Sequence, residues 1–79
     1  MKQSQILQRF QTDSEWFHNN TNELREKGLI GKFVAIKNSK PLASDENINL
    51  VLEELDKMGE DSSLLFIEFV HPEGFTLIL

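Results

Sequence analysis

Few residues in this sequence have the types and spacing for chemistry, and the run Val34-Ala35-Ile36-Lys37 is the most suggestive. In protein kinases such a tetrapeptide places on a strand the lysine that pairs with nucleotide phosphates. That chemistry also needs a glycine-rich loop before the strand, a catalytic Asp and Asn, and a metal-binding Asp. None of them accompanies Lys37, which therefore reads as a charged residue closing an apolar strand beside a turn. Glu68 interrupts the apolar run "LLFIEFV". A carboxylate works as a general acid or base when an apolar pocket shifts its pKa, but alternation along a strand accounts for Glu68 more simply, as an outward residue on a wet sheet face.

The histidines offer little more. His18, next to Trp16 and Phe17, has the chemistry of a ligand or a base, and equally that of a polar neighbour to a buried stripe. His71 precedes Pro72 in a turn. With no cysteine in the chain, neither has the spaced partners that hold a zinc ion. No Ser, His and Asp stand in a recognisable triad context, and the 4 glycines are too scattered for a phosphate loop. The expected catalytic, cofactor-binding and metal residues are therefore none, and the chain is not expected to be an enzyme. Trp16 is weighed differently: aromatic anchors are common at interfaces, but a small domain also needs its largest side chains for packing.

The elements that would position these residues follow from the pattern. Residues 1–11 are polar and Gln-rich, with Ile6, Leu7 and Phe10 as their large apolar side chains, and read as a mobile segment or loose helical turn. Thr12 and Glu15 have capping-box spacing, so a helix is expected from Thr12, ending at Gly28 after Arg25 and Lys27. Lys32 to Lys37 reads as a strand covered on both faces or central in a small sheet, because its apolar run does not alternate. Asn38-Ser39 makes the turn, and Leu42 and Ala43 lie on a returning strand that Pro41 confines to an edge. Ser44 is read as the N-cap of an amphipathic helix, with Ile48, Val51, Leu52, Leu55 and Met58 on its apolar face and Gly59 at its end. "LLFIEFV", the turn "HPEG" and "FTLIL" read as a second hairpin.

The predicted fold class is therefore α+β: N-terminal helix, β-hairpin, amphipathic helix, second β-hairpin (αββαββ). Its sheet is a four-stranded mixed one, ordered second, first, third, fourth, with helices on one face. One domain spans residues 12–79. The chain of 79 residues is expected to bury only about 60–65% of the surface it exposes unfolded, and with no cysteine no disulfide supports it. No stretch approaches the roughly 18 apolar residues of a membrane span, and the first residues lack a signal peptide's apolar run, so a cytoplasmic location is expected. With 13 acidic against 8 basic residues the net charge is −5, which repels phosphate backbones and disfavours nucleic acid.

The stretch from Glu15 to Val70 resembles a family of small archaeal and bacterial domains of unknown function. The likeness rests on Trp16, on the block Gly31-Lys32-Phe33-Val34-Ala35, on Leu55 and Gly59 of the amphipathic helix, and on Asp61 and Val70. The sequence departs from the family pattern at Ser39-Lys40-Pro41, where a Gly-Lys-Val turn is expected, and at His71-Pro72, where the proline is displaced. The resemblance implies a similar fold and attaches no reaction to it. The expected function is a non-enzymatic protein interaction or adaptor module, self-associating or bound to another protein, with no metal, cofactor or membrane. The surface expected to serve it is the uncharged edge formed by Phe75, Leu77, Ile78 and Leu79, with Trp16 as a further candidate. The alternative is a ligand-sensing or enzyme-accessory domain with a pocket between the first helix and the sheet.

Overall fold

The apolar run Phe33-Val34-Ala35-Ile36 decides the architecture, because a strand with no polar side chain in its middle must be covered above and below. In the structure, a computed structural model that describes residues 2–72, this run is β1 (Phe33–Lys37), the central strand of three. It pairs antiparallel with β2 (Lys40–Asp45) on one side and with β3 (Phe66–Phe69) on the other. Val34, Ala35 and Ile36 are fully buried. Val34 and Ile36 pack with Phe17, Leu24 and Val70, which brings helices α1 (Lys2–Asn19) and α2 (Thr21–Glu26) onto one face. Ala35 packs with Val51, Leu55 and Leu65, which brings α3 (Ile48–Lys57) onto the other.

This corrects the predicted fold class in three respects. The sheet of the described residues is three-stranded rather than four-stranded, so the order αββαββ is not what the structure shows; the predicted strand at residues 75–79 lies outside the described residues. Each neighbouring strand pair is antiparallel, so the sheet is not mixed. The helices lie on both faces rather than one, since alternating side chains of β1 point to opposite sides and both sets are buried. The order second, first, third is as expected.

Local chemistry explains the element boundaries. Helix α1 begins at Lys2 and not at Thr12: residues 2–11 hold good helix formers and no Gly or Pro, and the capping-box spacing of Thr12 and Glu15 falls in the helix interior. The helix is interrupted at Asn20, whose Nδ2 donates to the Trp16 carbonyl, while Thr21 Oγ1 donates to the Phe17 carbonyl. Such side chains compete with the backbone for its own acceptors. The N-cap of α3 is Asn47, whose side chain accepts from the Asn49 N–H, rather than Ser44, which belongs to β2. Glu60 N–H donates to the Leu55 carbonyl and Gly59 N–H to that of Asp56, the bond pair of a Schellman ending, with Gly59 at φ 79.

The β1–β2 connection is the two-residue turn Asn38-Ser39, both residues at positive φ (52 and 62), the conformation that suits the twist of a hairpin. The register slips between Ala35 and Ile36, leaving Leu42 as the extra residue of a bulge. Beyond the formal strand ends, Gly31 N–H donates to the Val70 carbonyl and Val70 N–H to that of Lys32. Gly31 holds φ 80 with open space where a Cβ would sit, so its conformation and not a close approach calls for glycine. No helix among the described residues is long and apolar enough to cross a membrane.

Candidate functional site

The two edges of the sheet differ, and the difference defines the candidate site. The outer edge of β2 carries Lys40, Pro41 and the bulge at Leu42, three devices that discourage pairing with a further strand. The outer edge of β3, Phe66-Ile67-Glu68-Phe69, has neither lysine nor proline nor bulge, and among the described residues no strand pairs with it. Beside it runs a groove between α1 and the start of β3, lined by Phe10, Gln11, Ser14, Leu65, Phe66 and Ile67 and about 420 Å³ in volume. Leu65 is buried, whereas Phe10, Phe66 and Ile67 are half-buried. One turn of helix before Phe10, Leu7 is 66% exposed, so the apolar stripe of α1 continues uncovered.

α1 is fixed over this groove from its other side. Asp13 is 3% exposed, and its Oδ1 accepts the Ser39 N–H at 2.8 Å. A carboxylate on the helix thus holds the tip of the β1–β2 hairpin. Phe17, one turn on, packs against Phe66 with ring centroids 5.8 Å apart.

The residues singled out in the sequence fall as follows. Trp16 is half-buried and packs against the cluster of Phe17, Leu24, Val34, Ile36 and Val70, the packing role weighed for it. Phe75, Leu77, Ile78 and Leu79 lie outside the described residues. Lys37 pairs with Glu60, Nζ to Oε1 at 3.0 Å and to Oε2 at 3.2 Å, and so ties the end of β1 to the loop after α3. Asp61 accepts from Ser63 Oγ and N–H, and these bonds hold its carboxyl below the usual carboxylate range.

His18, Glu68 and His71, distant in sequence, line one open cleft on the α1/α2 face. The register explains Glu68: it stands opposite Val34, on the face that the two helices cover. Arg25 joins them, its Nε donating to the His71 carbonyl at 2.8 Å and its Nη1 to Asn22 Oδ1 at 2.8 Å. Among the described residues no group of three His, Cys, Asp or Glu is placed to hold a metal ion.

Arg25, Asp13 and Phe10 were missed as site residues. Asp13 had a signal, a carboxylate at helical spacing between Phe10 and Phe17; Arg25 had none beyond its cation near a helix end.

Residues 30–73 match the profile of DUF5678, described as a family of unknown function. No curated protein and no solved structure matches the chain.

Proposed function

The chain belongs to DUF5678, a family of unknown function, and we propose that it is a non-enzymatic interaction module that takes an extended apolar strand along the outer edge of β3. The observation that carries this reading is the asymmetry of the two edges among the described residues: β2 carries Lys40, Pro41 and a bulge, whereas β3 carries none of these and has no further described strand beside it. An undefended edge offers its free N–H and C=O groups to another strand, and strand addition draws affinity from those bonds and specificity from alternate side chains. The groove beside β3 supplies the apolar contact.

The occupant that fits is a second copy of this chain, through its own Phe75–Leu79. That run is uncharged and rich in strand formers. Added as a strand, such a run would put Phe75, Leu77 and Leu79 on one side and Thr76 and Ile78 on the other by period-two alternation. Reciprocal exchange between two copies closes a two-fold dimer, the commonest symmetric assembly.

Sedimentation equilibrium tests the reading on the whole chain, on one lacking residues 75–79, and on Thr76→Pro, which removes a ladder donor without shortening the chain. The expected result is a dimer for the first and folded monomers for the others. A folded monomer of the whole chain up to about millimolar concentration, where weak pairs show, or a dimer indifferent to both changes, overturns it.

A further inference from the structure

The cleft on the α1/α2 face is independent of the β3 edge groove. Its volume is about 500 Å³, within the roughly 300–1,000 Å³ common for small-ligand sites. Phe17 and Phe69 form apolar wall, and each imidazole stands edge-on to a phenyl ring: His18 against Phe17 at 5.7 Å and His71 against Phe69 at 4.8 Å. Asn19, Thr21 and Asn22 add polar groups at the rim.

Two opposite charges face this space without meeting. Glu68 is half-buried on a sheet face whose neighbours are Val34 and Phe66, and among the described residues its carboxylate makes no hydrogen bond and no ion pair. Removing a carboxylate from water without a partner is unfavourable. Arg25 is anchored through two of its three nitrogens, to a carbonyl and to an amide oxygen, and it too has no carboxylate within ion-pair distance among the described residues. Those acceptors are neutral and fix the direction of the guanidinium, and none of them brings it a negative charge. An acid and a base that share a cleft and remain apart are complementary to a molecule carrying both charges.

We infer that this cleft binds a small zwitterion of the α-amino acid class, its ammonium on Glu68 and its carboxylate on Arg25, with the side chain against Phe69. Charge-assisted hydrogen bonds at both ends give the site its selectivity, since an analogue with either charge capped leaves a half-buried partner unmatched. The imidazoles at the rim report occupancy.

NMR titration of the whole chain with each of the standard L-amino acids, read at the ring signals of His18 and His71, tests this directly. The expected result is a saturable shift for at least one amino acid that is lost with its N-acetyl derivative and with its amide. Glu68→Gln is expected to weaken that binding roughly tenfold or more, the loss of a charge-assisted bond. Absence of any saturable shift overturns the inference, as does equal binding of amino acid and N-acetyl derivative. Because the last comparison uses the unaltered protein, it decides the matter even if Glu68→Gln does not fold.

Discussion

Asp13 is the residue on which the placement of α1 turns. Its carboxylate reaches a backbone N–H 26 positions away in sequence, and a buried donor that loses its acceptor costs about 1–3 kcal/mol. Asp13→Ala is therefore expected to lower the unfolding free energy by that amount in urea titration, while Glu15→Ala, at an exposed position on the same helix, stays within about 0.5 kcal/mol of the parent. The partner of Asp13 could not be read locally, because nothing in the sequence around residue 13 specifies what a helix face will meet. Ser39 is the complementary case. It holds φ 62, where a side chain is strained. Ser39→Gly keeps the N–H that Asp13 binds, relieves the strain and is expected to raise the melting midpoint. The turn itself was legible, since Asn38-Ser39 separates two strand-forming runs by the shortest usual loop. The role of Arg25 was not, because one of its two acceptors is the His71 carbonyl, beyond β3.

Elements were legible where the hydrophobic period was strong, and their ends were not. α3 shows both. Leu55 is fully buried, as its period predicts, whereas Leu52 is 37% exposed and Met58 47%, which corrects their assignment to the buried face. A helix facing so narrow a sheet contacts it through a thin stripe, and residues on the flanks stay wet. Leu55→Ala is expected to cost about 2–5 kcal/mol and Leu52→Ala less than about 1 kcal/mol, a contrast that paired thermal melts would show. The helix starts failed for a common reason: Thr12 and Ser44 have capping chemistry, but caps act only where tertiary contacts let a helix begin. Asp61 is a cap that did form, on the 3-10 turn Ser62–Leu64. Its carboxyl is held low by the Ser63 hydroxyl and N–H, so its contribution is present above the unfolded carboxyl's pKa and is lost as pH falls through the folded one. Carboxyl NMR titration should place its midpoint below that of an unfolded aspartate, and Ser63→Ala should move it upward.

For the whole molecule, β1 is, among the described residues, the strand that supplies fully buried side chains to both apolar clusters, Val34 and Ile36 to one and Ala35 to the other. Neither cluster can dissolve without exposing it. The amides of Val34, Ala35 and Ile36 are therefore expected to exchange with solvent only on global unfolding, and Leu24→Ala and Leu55→Ala, one in each cluster, should accelerate their exchange alike. Independent loss of one helix layer, with β1 still protected on the other side, would contradict this. The sequence carried the two-sided coverage in its unalternating run, which is at odds with the expectation of helices on one face. The bond between Asp13 and Ser39 also bears on how long the molecule lasts. An asparagine followed by a small residue in an exposed turn is prone to slow deamidation, in which the next residue's backbone nitrogen loses its proton and attacks the side-chain amide. Here that nitrogen belongs to Ser39, and the Asp13 carboxylate both engages its proton and opposes the negative charge that its loss would create. The contact that seats a helix is thus also expected to slow chemical ageing at Asn38, and Asp13→Ala protein should accumulate isoaspartate at that position on storage faster than the parent, as peptide mapping would reveal.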